Sequence, residues 1–334
     1  MTAIWAHRGA SAYAPENTIP AIQQAIEMGA DGVELDVQRT IDGQLVVIHD
    51  ETINRTSNGF GRVADLTLEQ LRLCNYSNGF VGHRKVQIPT LREVLELLEP
   101  TRLRINLELK NSIELYPGME NDALTIVQEA GLRPSIHHLA ATGGLLWHPE
   151  ARMDLVRAGI GLYGLSPDPS VATSSELGLQ PAMRLESALV QVKRIDAGQA
   201  VSYGGTWSAP TDRWVGLVPL GYSDGIPRAA GSTGPVGVDG IMSSIVGRVC
   251  MDQVVIDLGP ARDETGALLP APAQVGDTAV LWGAPDAVGQ EAVPTADEWA
   301  QACGTINYEI VTRLGARVPR CYVGAEAGGG YARP

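Results

Sequence analysis

Within the first 110 residues, four short apolar runs each end on ionisable side chains, with helical patterns between them. The runs are "AIWAHRG", "GVELDVQ", "QLVVIHD" and "LRINLELK"; the segments between them include "TIPAIQQAIEMG" and "TLREVLELLEP". Asn17-Thr18 is the expected cap of the first helix and Gly29 its stop, and Thr90 is the cap of the second. Strands alternating with helices predict a parallel sheet with crossover helices, since parallel neighbours need long connections. In a (β/α) barrel the C-terminal ends of the strands face one mouth. His7-Arg8, Glu34 with Asp36, His49, and Glu108 with Lys110 would then converge. Residues i and i+2 of a strand share a side, so Glu34 joins Asp36 and Glu108 joins Lys110.

Past residue 165 the texture changes. Pro, Gly and Ser thicken at "LSPDPSVATSSELGLQP", and short β-type runs with turns follow, among them "ALVQVKRI", "RWVGLVPLGY", "SSIVGRVCMDQVVIDLG" and "DTAVLWG". These predict an all-β domain with short helices at "TADEWAQAC" and "TINYEIVTRLG". The boundary is placed near residue 168, giving a barrel over residues 1–168 and a β-rich domain over 169–334. Candidate strands before it lie near residues 3–7, 32–37, 44–49, 102–109, 135–140 and 158–163. A full barrel takes eight strands and ~200 residues or more. The fold class is therefore α/β, a TIM-like (β/α) barrel short of strands, followed by a C-terminal β-rich domain. Such a barrel closes with fewer strands, borrows a partner's elements in a dimer, or folds poorly. The tail, residues 324–334, is expected to fray.

Composition narrows the partners. A formal net charge of −13 argues against a nucleic-acid partner, which calls for a basic stripe. The cysteines, Cys74, Cys250, Cys303 and Cys321, form no C-x-x-C pair and suit a reduced, cytoplasmic protein. The N-terminus lacks a basic n-region and a long apolar run, so no signal peptide is expected, and no membrane partner.

Carboxylates gathered at adjacent strand ends suit a hard divalent cation, Ca²⁺ or Mg²⁺, and repel one another without a neutralising charge. Two histidines nearby suit acid and base work near neutral pH, and Arg8 and Lys110 suit an anionic substrate. Any one of these residues alone is most simply a barrel-mouth salt bridge; seven on successive strand ends point to a site.

These residues carry a resemblance. "AHRGASAYAPENTIPAI", "GADGVELDVQRTIDGQLVVIHDETINRTSNGFGRVADLTLEQLR" and "IPTLREVLELL…INLELK" resemble the glycerophosphodiester phosphodiesterase family over residues 3 to about 132. The resemblance implies a TIM barrel, His7 and His49 as the acid/base pair, Glu34, Asp36 and Glu108 as metal ligands, and Arg8 and Lys110 as phosphate contacts. Glu16 would support the first loop. The implied reaction is hydrolysis of glycerophosphodiesters, small-molecule substrates, to glycerol phosphate and an alcohol, with the metal polarising the phosphoryl oxygens.

A second resemblance begins near residue 133. "HHLAATGGLLWHPEARMDLVRAGIGLYGLSP", "AVSYGGTWSA", "VPLGYSDGIPR", "IVGRVCMDQ" and "TADEWAQACGTINYEIVTRLGARVPRCYVG" resemble the C-terminal half of alanine racemase over residues 135–324. It implies pyridoxal phosphate as cofactor and a homodimer in which Tyr203 is an acid/base reaching across to the partner. Arg157 would face the pyridine nitrogen; Gly159, Ile160 and Tyr308 would hold the phosphate; Tyr222, Met251 and Asp252 would line the way to the substrate. Ala141 and Thr142 stand where that family has an Asn-Ser pair, which weakens the phosphate cup. Pyridoxal phosphate chemistry needs a Schiff-base lysine. The family's lysine motif is missing, and the chain's lysines are Lys85, Lys110 and Lys193.

The chain thus looks like a hybrid: residues 1–132 phosphodiesterase-like, 133–168 racemase-like, and 169–334 like the racemase β domain. Metal-dependent phosphodiester hydrolysis, in a lipid-metabolic setting, is the leading expectation. A racemase-type pyridoxal phosphate protein and an inactive hybrid are the alternatives.

Overall fold

The computed structural model describes residues 2–284 and 292–323, so the tail expected to fray lies outside the described residues. The chain divides into two compact units, Met1–Ser135 and Ile136–Pro334. Residues 136–168, grouped with the barrel from sequence, fall in the second unit.

In the first unit the elements are β1 (Trp5–His7), α1 (Ile19–Glu27), β2 (Gly32–Arg39), β3 (Leu45–Val47), α2 (Leu68–Arg72), α3 (Leu91–Leu98), β4 (Arg104–Leu109) and α4 (Met119–Glu129). The helices start where the sequence places them. Thr18 accepts from the Ala21 N–H, and Thr90 forms a reciprocal capping box with Glu93. In α3, Leu91, Val94, Leu95 and Leu98 are buried, a single apolar stripe at helical spacing. Strand β2 is central: β1 and β4 pair with it in parallel, with Glu34 opposite His7 and Asp36 opposite Glu108. Val33 and Leu35 pack with Ile22, Ala25, Val94 and Leu98. The alternate residues Glu34, Asp36 and Gln38 then face the other way, which gives the strand one apolar and one polar side.

Two sequence expectations are corrected here. Strand β3 runs antiparallel to β2, with Val37 opposite Val47 and Arg39 opposite Leu45. The link Thr40–Gln44 is too short for a crossover and turns through Gly43 at φ 79°. The strands expected near 135–140 and 158–163 do not form. The first keeps one isolated parallel bridge, His138 to Leu155, and the second is a 3-10 turn, Gly159–Tyr163. Gly159 and Gly164 there adopt positive φ, which breaks strand geometry. The N-terminal domain is thus a barrel-like α/β half-barrel rather than a six-stranded set, and a β-rich domain follows.

The second unit opens with α5 (Thr142–Trp147) and continues with β5 (Leu185–Ala188), β6 (Gln191–Ile195), β7 (Ala200–Val201), β8 (Trp207–Ser208) and β9 (Arg213–Val218). Strands β10 (Pro235–Val238), β11 (Ile241–Val246), β12 (Val254–Pro260) and β13 (Thr278–Trp282) precede α6 (Ala296–Cys303) and α7 (Asn307–Thr312). The main sheet runs β5-β13-β10-β11-β12-β9-β6. Its two end strands are halves of one bent segment. The Leu189 N–H donates to Asp277 O at 2.8 Å, and the Val190 N–H donates to Leu217 O at 3.0 Å. The bend therefore ties the two ends of the sheet together through consecutive residues, each half bonded to one neighbouring strand. Trp282 and Trp299 fill the core edge-to-face, 5.5 Å apart at 63°. No helix among the described residues is long and apolar enough to cross a membrane.

Asn307, 3% exposed, donates to Ser166 O at 2.9 Å and to Asp297 Oδ1 at 2.7 Å. Replacing it by Ala leaves a buried carbonyl and a carboxylate without that donor, and should cost ~1–3 kcal/mol. Urea unfolding followed by tryptophan fluorescence checks this, and an unchanged midpoint would count against it.

Candidate functional site

At the polar side of β2, Glu34, Asp36 and Glu108 each bring a carboxylate oxygen within 4.8 Å of the others. The cluster is built by register, since β4 pairs Glu108 directly with Asp36. Asp36 is 1% exposed and heavily engaged. Its Oδ2 accepts from Asn17 Nδ2 at 2.8 Å and faces Arg8 Nε at 3.2 Å, while Oδ1 faces Lys110 Nζ at 3.2 Å. Lys110 also donates to Glu108 Oε1 at 2.9 Å. Burial alone would lower the Lys110 pKa, but the bonds to Glu108 and Asp36 raise it. Glu34 is pushed up, first by burial and then by the neighbouring Asp36 charge.

His7 sits at the end of β1, its Nε2 3.7 Å from Glu34 Oε2, with an exposed ring. Arg8 turns the chain at φ 60° and its N–H donates to Glu34 O at 2.9 Å. His49 follows β3. Its Nδ1 lies 2.7 Å from Asp50 Oδ1, and its carbonyl accepts from Gln38 Nε2 at 2.9 Å. The structure therefore brings His7, Arg8 and Lys110 onto the carboxylate cluster and turns His49 toward Asp50. Sequence reasoning passed over Arg55, which bonds Glu16 through both terminal nitrogens at 2.8 Å and Asp50 through Nε at 2.7 Å. The Arg55 guanidinium holds the Asp50 carboxyl at about 2 and also lowers Glu16.

In the second unit, Arg157 Nη1 lies 2.6 Å from His138 Nδ1. Gly159 and buried Ile160 begin the 3-10 turn beneath Thr142. The Thr142 hydroxyl donates to Ala158 O and accepts from the Gly161 N–H at 3.3 Å, so this turn uses it up. Ala141 caps α5 without a side-chain bond. Tyr308 packs half-buried against the β-domain core, and burial raises its phenol.

Tyr203 occupies the tip of the β7–β8 hairpin and is 75% exposed. Tyr222, Met251 and Asp252 come together on two joined loops: the Tyr222 N–H donates to Cys250 O at 3.0 Å and the Ser223 N–H to Met251 O at 3.0 Å. Ser223 Oγ donates to Asp252 Oδ1 at 2.9 Å, and Arg317 Nη2 reaches the same oxygen at 2.9 Å. Ser223 first, then Arg317, lower the Asp252 pKa.

Residues 182–322 match the alanine racemase C-terminal domain model and residues 119–167 the alanine racemase N-terminal domain model. Residues 7–134 match the glycerophosphoryl diester phosphodiesterase family model. The alanine racemase of Streptomyces coelicolor is 49% identical over 196 residues, 59% of this chain and 46% of that protein. That of Salinispora arenicola is 46% identical over 205 residues, covering 61% and 50%. The chain spans about half the length of the curated relatives it matches. Among solved structures, alanine racemase from Streptomyces coelicolor A3(2) has a TM-score of 0.62 at 34% identity, covering 92% of this chain and 70% of that one.

These findings overturn the leading expectation. The relatives and the solved structure are racemases, which are isomerases, so phosphodiester hydrolysis, its lipid-metabolic setting and a divalent metal as principal cofactor give way. In the structure Arg8 and Lys110 lie on Asp36 and Lys110 also on Glu108, two of the three carboxylates, while Glu34 has only His7 beside it as an ion-pair partner among the described residues. The two-part character of the chain persists in the family models, while these relatives carry its racemase side alone.

The Arg55 clamp makes stability depend on pH. Asp50 sits near 2 when folded against an ordinary 3.8, so its contribution is full above about pH 4 and lost as pH falls toward 2. Glu16 acts in the same sense and Glu34 in the opposite one. Hydrogen exchange of residues 2–135 should therefore lose protection over that acid range, and Arg55→Ala should flatten the dependence. Protection in the variant that falls with acid as steeply as in the parent would remove the clamp.

Proposed function

Because the chain belongs to the alanine racemase family through its C-terminal half, we propose that it is a racemase-type protein. In this reading it lends its tyrosine-bearing domain to an active site whose lysine-bearing barrel comes from another chain. The observation that carries the reading is Tyr203. It is three-quarters exposed at a hairpin tip, where its phenol serves whatever docks beside it.

Pyridoxal phosphate, the cofactor this family implies, fits the chain's residues only in part. Arg157, steadied by His138, suits the pyridine nitrogen, and the backbone at Gly159 and Ile160 suits the phosphate, with Tyr308 as the phenol expected to share it. The Thr142 hydroxyl is spent internally and Ala141 offers no amide. The covalent link is missing altogether: Lys193, on β6, is the sole lysine of Ile136–Pro334. When bound, the cofactor acts as an electron sink beside the carbon whose proton moves. In this reading Tyr203 would hold or deliver that proton, and Tyr222, Met251 and Asp252 would line the approach of a small amino acid. A dimer of this chain alone would pair two tyrosines with no Schiff-base lysine and remain silent, which is the inactive-hybrid reading in physical form.

Complementation tests this. With pyridoxal phosphate alone, the protein should show neither alanine racemisation nor a borohydride-bleached visible band. Mixed with a full-length alanine racemase whose own tyrosine has been changed to Phe, it should restore racemisation. Tyr203→Phe should cut that restored rate by ~10²-fold or more. No restored rate with the unaltered chain would sink the reading.

A further inference from the structure

The residue just before Tyr203 is the most strained position on its hairpin. Ser202 sits at φ 60°, ψ 176°. That is outside the left-handed helical well and in a region essentially confined to glycine. Its hydroxyl is buried with no hydrogen-bond partner. A non-glycine residue in such a place costs free energy, and so does an unsatisfied buried hydroxyl. Both penalties fall on one residue, next to an exposed aromatic ring.

The surroundings explain how the distortion is held. Behind the tip, Val201 and Trp207 pair across the hairpin and pack against the small core of Ile195, Ala209 and Val215. Below it, Gly247 at φ 73° lets the chain pass so close that a Cβ there would lie 3.0 Å from Ser202 Cβ. Gly204, at φ 76°, lies against the Arg248 guanidinium, where an added Cβ would approach Nη1 to 3.2 Å. The Gly205 N–H closes the turn on Ser202 O at 3.3 Å. Packing thus fixes the turn from two sides and leaves the tyrosine ring as the part that projects.

We propose that Ser202 is a positioning residue: its enforced backbone conformation aims Tyr203 away from its own chain and limits the ring's freedom. This deepens the racemase-type reading, since Tyr203 is that reading's acid/base, but the aiming device has consequences of its own. Glycine at 202 relieves the strain. Alanine removes only the hydroxyl and keeps the conformation.

The experiment compares Ser202→Gly and Ser202→Ala in the full chain, with a fluorinated tyrosine at position 203 read by ¹⁹F NMR. In Ser202→Gly the folding equilibrium constant should rise by roughly three- to tenfold, strain relief outweighing glycine's extra chain entropy. The residue-203 resonance should narrow and move toward the free-tyrosine position. In Ser202→Ala the resonance should stay where it is. In the mixed assay Ser202→Gly should lower kcat and leave KM unchanged. A glycine variant with unchanged stability and an unchanged resonance overturns the proposal. A mobilised ring together with no restored racemisation by the unaltered chain supports the positioning role and sinks the racemase-type reading instead.

Discussion

The bend at Leu189–Val190 is the constraint on which the second unit depends. One segment bonds to β13 on one side of the bend and to β9 on the other. A sheet of this size with two free edges would expose unpaired backbone groups along both. Joining its ends through consecutive residues shortens those edges to half a segment each and fixes where β6 leaves the sheet. The β7–β8 hairpin follows β6 directly, so the closure sets where the hairpin that carries Tyr203 begins.

The first unit depends on a different balance. A carboxylate as buried as Asp36 must be met by donors or by positive charge. Asn17, Arg8 and Lys110 all come from chain segments that end beside β2. Three carboxylates at one mouth are compatible with a bound ion or with protein cations, and the residue types alone do not choose between them. The distances do. The same cations that had been assigned to an anionic substrate lie on Asp36 and Glu108.

Much of the architecture was legible from the residues. Thr18 and Thr90 announce helix starts, and the i, i+2 carboxylates of "VELDV" announce a polar strand side because both depend on local geometry. The β2–β3 hairpin was equally local, since Asp42-Gly43 is a strong turn signal, but the apolar run after it suggested a parallel strand. The glycines around Gly159 carried a warning that the apolar pattern obscured. Long-range partners were not legible at all. Arg55 lies 39 positions from Glu16, and Arg317 lies 94 from Ser223; nothing in either local sequence names the acceptor. Ser202 looks like an ordinary turn serine until its dihedral angles are known.

Lys110 sits at a strand end, where a catalytic amine could have stood. It lies instead between Asp36 and Glu108, which hold its ammonium in the charged form. A charged ammonium has no lone pair with which to attack a carbonyl carbon. The first unit therefore carries a strand-end amine whose two carboxylate neighbours disfavour the neutral form that attack on an aldehyde requires.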